Sequence, residues 1–289
     1  MTNLNLGNFE ENLQKRISSQ LNSYLNSNSQ IEKAIKFSLS APGKRVRPML
    51  IYLVGDIYGI SLEKLDSLAL ASEIIHTYSL VHDDLPCMDD DDLRRGQPTL
   101  HKKYSEATAV LAGDAMQSLA IQIILEDEKL SNEQKVSILK LLMESIGYKG
   151  MILGQEQDIS FEKKSVNKQE IIQMNYLKTG LLIEFCILAP LIIANKEENE
   201  WNIIARNVGI SFQLIDDLLD LEESEENLGK ATNKDQSKNK KNLPLTLGRS
   251  ETINELKKFH NETMESFSNL SLNNHPLKIY INNLFDRRS

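Results

Sequence analysis

Residues 62–96 read LEKLDSLALASEIIHTYSLVHDDLPCMDDDDLRRG, and this stretch decides the fold. Its leading part, 62–81, sets Leu65, Leu68, Ala69, Ile75 and Leu80 close to helical spacing, without the strict alternation of a half-buried strand. An apolar helix therefore runs straight into a dense run of aspartates. The pattern returns at Phe212-Gln213-Leu214-Ile215-Asp216-Asp217-Leu218-Leu219-Asp220, again on an apolar helix. Working outward, helical patterns are expected over 9–25, 48–58, 107–125, 131–153, 168–194, 200–221, 251–267 and 276–285. Pro48 sits in a first turn, where proline is favoured. Glycine and proline are sparse (13 and 7), and no strand hairpin is evident. The expected loops are 85–100 and the charged segment 222–242, EESEENLGKATNKDQSKNKKN. No composition shift marks a boundary, so residues 1–289 read as one all-α domain.

Composition removes several function classes. Lys plus Arg (33) against Asp plus Glu (41) gives a net charge of −8, so no nucleic-acid partner is expected, because phosphate neutralisation needs a basic surface. Cys87 and Cys186 are two widely spaced thiols with no metal-type spacing, which fits a reducing cytoplasm. The N-terminal residues lack a basic start followed by an apolar run. The longest apolar stretch, 181–194, is short for a bilayer and holds Glu184 and Pro190. A buried helix and no membrane span are expected.

The aspartates carry the chemistry. In the second cluster Asp216 and Asp220 are four residues apart and Asp217 and Asp220 three, so the carboxylates crowd one side of a turn. Two like charges about 4 Å apart repel by roughly 1 kcal/mol in water and about 4 kcal/mol at an effective dielectric near 20. Either the carboxyl pKa values rise or a cation sits there. All-oxygen ligands favour Mg²⁺ or Ca²⁺, and the spacing is not that of a twelve-residue EF-hand loop. Mg²⁺ is typically shared between one or two carboxylates and substrate phosphates. With Arg94 and Arg95 beside the first cluster, a diphosphate ligand is expected. A lone aspartate motif is more often a solvated helix face. Two of them, one followed by Arg-Arg-Gly, argue against that. There is no P-loop and no G-x-S-x-G.

These residues resemble the short-chain trans-isoprenyl diphosphate synthases. Asp83, Asp84 and Asp89 look like that family's first aspartate-rich motif in its DDxxxxD form, and 216–220 like its second, DDxxD. Residues 43–48, GKRVRP, resemble its GKRxRP segment. Residues 154–158, GQEQD, are similar to its GQxxD helix, and Lys178-Thr179-Gly180 to its KTG. Leu228-Gly229-Lys230 with Asp235 resembles its LGK…D loop. The chain departs at Lys240-Lys241-Asn242-Leu243-Pro244, where the family has K-x-T-Y-P. The resemblance implies an isoprenoid synthase helical bundle around a deep central cavity, and a homodimer. It implies Mg²⁺, three ions per site, held by Asp83, Asp84, Asp89, Asp216, Asp217 and Asp220. Arg94, Lys178, Lys230 and Lys240 would clamp the allylic diphosphate. Lys44, Arg47, His76 and Arg95 would hold isopentenyl diphosphate, with the basic end Arg287-Arg288 as a weaker candidate. Thr179 and Gln213 would face the reacting carbons, and the 222–242 loop would close as a lid.

Product length is argued from energies. Each isoprene buries about five carbons, worth roughly 4 kcal/mol at about 0.8 kcal/mol per CH₂. Affinity therefore cannot stop elongation, and a steric floor must. Tyr78 and Ser79 lie five and four residues before Asp83, roughly one turn below it. In the family a bulky aromatic at that depth goes with farnesyl products and a small residue with geranylgeranyl. The expectation is head-to-tail condensation of isopentenyl diphosphate with dimethylallyl and geranyl diphosphate to farnesyl diphosphate. The rivals are a C20 synthase of the same family, a terpene cyclase, which would not need Lys44, Arg47 and His76, and an inactive regulatory subunit.

Overall fold

The computed structural model describes residues 6–26, 28–226 and 241–286. The helices are α1 (Leu6–Tyr24), α2 (Gln30–Ser40), α3 (Val46–Ile57), α4 (Leu62–Asp83), α5 (Leu100–Lys103), α6 (Glu106–Glu126) and α7 (Asn132–Ile146). They continue with α8 (Met151–Phe161), α9 (Lys168–Asn175), a π-turn (Tyr176–Gly180), α10 (Leu181–Ala194), α11 (Asn199–Glu226), α12 (Leu243–Leu247), α13 (Arg249–Asn269) and α14 (Pro276–Phe285). The chain is all-α, as expected. Two compact units are present: residues 1–139 with 189–195, and residues 140–188 with 196–289. The boundary between them falls inside α7 and α10.

In the first unit α4 is the central helix and packs against α1, α2, α3 and α6. Leu65, Leu68, Ala69, Ile74 and Ile75 are buried, so its sides are covered more fully than a single apolar stripe would require. α3 is apolar all round, and every residue from Met49 to Val54 is fully enclosed. α1 turns Leu13, Ile17 and Leu21 inward at four-residue spacing. Its Arg16 grips Asp66 of α4 through Nε and Nη2 at 2.7 and 2.8 Å, and Tyr52 donates to the same carboxylate at 2.6 Å. α2 was absent from the sequence expectation because it is short and polar-rich. Ser29 caps it, accepting from Glu32 N–H, and Ala34, Ile35 and Leu39 anchor it.

In the second unit α11 packs against α13, the π-turn, α12 and α14. Trp201 of α11 is fully buried, edge-on to Phe267 of α13 with ring centroids 6.5 Å apart. α9 opens with a capping box: Asn167 accepts from Glu170 N–H and Glu170 accepts from Asn167 N–H.

Several boundaries differ from the sequence reading. The helix expected over 131–153 is two helices, broken at Gly147 and Gly150, which close a turn through Gly150 N–H to Gly147 O at 2.9 Å. α11 runs on to Glu226 instead of stopping at 221, because Glu222, Glu223 and Glu225 are good helix formers. The 85–100 loop contains a two-residue hairpin, β1 (Leu93–Arg94) and β2 (Gln97–Pro98). Arg95 and Gly96 have φ of 52° and 76°, the positive pair of a type I′ turn. Where the family's Thr-Tyr pair is missing, Asn242 accepts from Leu245 N–H at 2.9 Å and starts α12. Leu243 fills an apolar cluster with Ile171, Ile210 and Leu214. Two helical stretches, 106–126 and 168–194, are long and apolar enough to cross a bilayer by composition.

Candidate active site

The first unit gathers Asp83, Asp84, Asp89 and Arg94 at the end of α4. Asp83 closes the helix and Asp84 caps it. The two extra residues of the motif, Cys87 and Met88, make a turn in which Met88 N–H donates to Leu85 O at 2.9 Å. The chain then folds back, and Asp89 N–H donates to Asp83 O at 2.8 Å. The motif's spacing therefore becomes proximity: Asp89 docks on the helix end that carries Asp83 and Asp84. Asp84 is buried, 3 % exposed, and Arg94 Nε donates to its Oδ1 at 2.6 Å. Burial pushes the Asp84 carboxyl up to about 6, against the opposing pull of Arg94. Arg94 Nη2 also approaches Asp91 at 3.6 Å.

Asp84, Arg94 and Arg95 line one pocket with Phe37, Thr77 and Leu80. The I′ turn aims Arg95 back at the GKRVRP segment, where a Cβ on Gly43 would meet Arg95 Nη1 at 2.6 Å. The Arg95 guanidinium thus lies directly over Gly43. Lys44 is exposed, and Arg47 is buried on the first turn of α3. His76, one face of α4 away, has its pKa driven well below the usual value by desolvation and then by Arg47, Arg95, Arg94 and Arg45. It is neutral at pH 7.

Below this end of α4 stands Tyr78, 4 % exposed, its ring edge-on to His82 at 5.9 Å. His82 Nε2 lies 3.1 Å from Val110 O on α6, and it packs where a Cβ on Gly113 would be, so the Tyr78–His82 pair is pinned against α6. The Tyr78 hydroxyl is buried with no hydrogen-bond partner among the described residues. A phenylalanine would avoid that cost, on the order of 1–3 kcal/mol. Ser79 turns its hydroxyl to His76 O at 2.9 Å.

In the second unit the π-turn presents Lys178 and Thr179. Gly154 of α8 backs directly onto it, since a Cβ there would sit 2.2 Å from Lys178 N. One turn further along α8, Asp158 accepts from Lys178 Nζ at 2.6 Å, which explains both ends of the GQEQD segment. Thr179 Oγ1 donates to Gln213 Oε1 at 2.8 Å, and Gln213 Nε2 donates to Asp217 Oδ1 at 2.9 Å. Asn175 adds a longer bond to Asp217 at 3.4 Å. Asp217 is buried, Asp216 half-buried and Asp220 exposed. Lys230, Lys240, Asp235, Arg287 and Arg288 lie outside the described residues, as does most of the expected lid.

Sequence reasoning missed four residues. Asn175 and Asp158 act through their neighbours, and Arg45 and Glu73 form a buried ion pair. Asp158 stands in GQEQD and Arg45 in GKRVRP, whereas Asn175 and Glu73 stand in no motif. Asp90, Asp92 and His101 also bring one ligand-type atom each within 4.8 Å of one another, and Lys102 Nζ pairs with Asp92 at 2.8 Å.

The polyprenyl synthetase family profile matches residues 28–271. The chain is 40% identical over 272 residues to a farnesyl diphosphate synthase from Micrococcus luteus, covering 93% of each chain. The chain belongs to the polyprenyl synthetase family. A second relative, the farnesyl diphosphate synthase of Bacillus subtilis, is 40% identical over 255 residues, 86% of each chain. Among solved structures, a Helicobacter pylori geranyltransferase complexed with magnesium and isoprenyl diphosphate superposes with a TM-score of 0.81 at 32% identity. It covers 99% of this chain and 97% of that one. In this polyprenyl synthetase the two aspartate clusters, GKRVRP, GQEQD and KTG all fall within the matched span.

Proposed function

We infer that the chain is a prenyltransferase that joins isopentenyl diphosphate head to tail to dimethylallyl and then geranyl diphosphate, giving farnesyl diphosphate. The first cluster carries this reading: three aspartates gathered at one helix end, Arg94 on the buried Asp84, and a neutral His76 among arginines. The curated relatives are farnesyl diphosphate synthases and support the fifteen-carbon product.

The donor set fits magnesium. It is all carboxylate, and burial of Asp84 creates a cost that a hard cation would relieve. Asp83, Asp84 and Asp89 would hold it in the first unit and Asp216, Asp217 and Asp220 in the second, three ions in all. When bound, it neutralises the charge that grows on the leaving diphosphate. Arg94 in the first unit and Lys178 in the second would each add positive charge for a diphosphate, which is electrostatic stabilisation of the transition state. Lys44, Arg47, His76 and Arg95 hold isopentenyl diphosphate. The allylic C1–O bond breaks, and the electron pair leaves with the diphosphate. The terminal alkene carbon of isopentenyl diphosphate forms the new C–C bond, and a proton is then lost to the released diphosphate. The Thr179–Gln213 pair supplies oriented dipoles beside the reacting carbons.

Tyr78 is the floor that ends elongation: it is large, buried and braced by His82. The reading also includes a homodimer, supported by Val110, Leu111 and Leu125 exposed along α6. It places the protein in the cytoplasm, with Cys87 and Cys186 as free thiols. In this reading neither 106–126 nor 168–194 is a membrane span; the second is supported as a core segment by the fully enclosed Ile183, Phe185, Cys186 and Ile187.

The test is a product assay with Mg²⁺, isopentenyl diphosphate and dimethylallyl, geranyl or farnesyl diphosphate offered separately, with chain length read by mass spectrometry. The first two should give the C15 product and the third little turnover. Asp83→Ala and Asp216→Ala should each lose about a thousandfold in turnover while folding normally, the scale of a lost charge-stabilising group. Tyr78→Ala should release longer products. Condensation that survives the aspartate variants would overturn the assignment. An unchanged product from Tyr78→Ala would move the floor elsewhere.

A further inference from the structure

GKRVRP offers three cations within four residues, and the structure commits the middle one elsewhere. Arg45 is 7 % exposed, and its guanidinium donates to the carboxylate of Glu73, to Leu39 O at 2.7 Å and to Ala41 O at 2.9 Å. The two carbonyls belong to the last turn and C-cap of α2, where helices leave such acceptors orphaned. Glu73 is 2 % exposed on α4, one turn before His76. Arg45 itself is the N-cap of α3 in a left-handed conformation, φ 47°. That conformation is uncommon for a residue with a side chain, and it persists where surrounding contacts over-determine it. One side chain thus ties the end of α2, the start of α3 and the middle of α4, and it lies between Lys44 and Arg47 in sequence.

We propose that Arg45 and Glu73 form a buried strut that positions Lys44, Arg47 and His76 for isopentenyl diphosphate without touching it. The proposal rests on the diphosphate-binding reading above. Neither partner can be spared alone, because a buried charge left without its counter-ion is strongly unfavourable. Glu73 also acts on Arg95, where its field opposes the lowering of the pKa by burial and by Arg45, Arg47 and Arg94. A carboxylate placed there for charge alone would weaken the binding of an anion. Its role as a geometric tether accounts for its presence.

That contrast fixes the sign of the test. Glu73→Gln removes a negative charge at nearly constant shape. If Glu73 acts only through its field, the KM for isopentenyl diphosphate falls. If it positions the subsite, that KM rises about tenfold, one pair's worth of binding, while the KM for geranyl diphosphate and the saturated kcat change less than about twofold. Arg45→Lys keeps a cation but loses the fork that reaches Leu39 and Ala41, and it should raise the same KM. Should Glu73→Gln fail to fold by circular dichroism, Arg45→Lys carries the test alone. An unchanged or lowered KM for isopentenyl diphosphate in the folded variant overturns the strut. An unmutated chain that condenses no isoprenoid diphosphates overturns the reading beneath it instead, so the two failures are distinguishable.

Discussion

Asp84 shows what the cluster costs before any ligand arrives. Its folded pKa of about 6 lies above the ordinary carboxylate value. A raised folded pKa contributes stability that is full below the unfolded value and is lost as pH rises through about 6. The metal-free protein should therefore lose stability between roughly pH 4 and 6 on account of this residue. A divalent cation needs the ionised form, so magnesium should recover the loss chiefly at higher pH. The thermal midpoint gained on adding Mg²⁺ should be about twofold larger at pH 7.5 than at pH 5. Equal gains would mean that Asp84 is not a ligand. At this scale the sequence was informative where chemistry has a spacing: Asp83, Asp84 and Asp89, or Lys178 and Thr179. It was silent about Arg45 and Glu73, 28 residues apart, because a buried ion pair across two helices has no local pattern.

Among the elements, the long apolar helices were legible from periodicity, and their interruptions were not. The break at Gly147 and Gly150 follows ordinary glycine punctuation. The π-turn at 176–180 has no such mark: YLKTG is compatible with plain helix, and the extra residue is accommodated by its neighbours. Gly154 is one of them. Adding a methyl there forces α8 away from the backbone of Lys178. Gly154→Ala should cost about 1–3 kcal/mol of stability by overpacking. It should also lower turnover, because the Asp158–Lys178 and Thr179–Gln213 bonds both depend on that register. Thermal unfolding and the product assay measure the two effects separately. Stability lost with turnover intact would show that the π-turn's placement does not matter to the reaction. The small hairpin was missed for a simpler reason: its strands are two residues each, and Arg-Gly is a less familiar turn pair than Asn-Gly.

For the chain as a whole, the all-α class and the family membership could be read before any coordinates, because both aspartate clusters stand on helices with the right flanking motifs. The division into two compact units could not, since its boundaries cut through α7 and α10 and leave no change in composition. One residue makes that division measurable. Trp201 is the single tryptophan, enclosed in the second unit against Phe267. Its fluorescence, excited selectively over tyrosine, is a spectroscopic gauge of that unit alone, whereas far-ultraviolet circular dichroism averages every helix. If the chain melts as one cooperative body, the two denaturant curves superimpose. If they separate, the indole signal dates the collapse of the half that carries Lys178 and Asp217, and the remaining dichroism belongs to the half that carries Asp84.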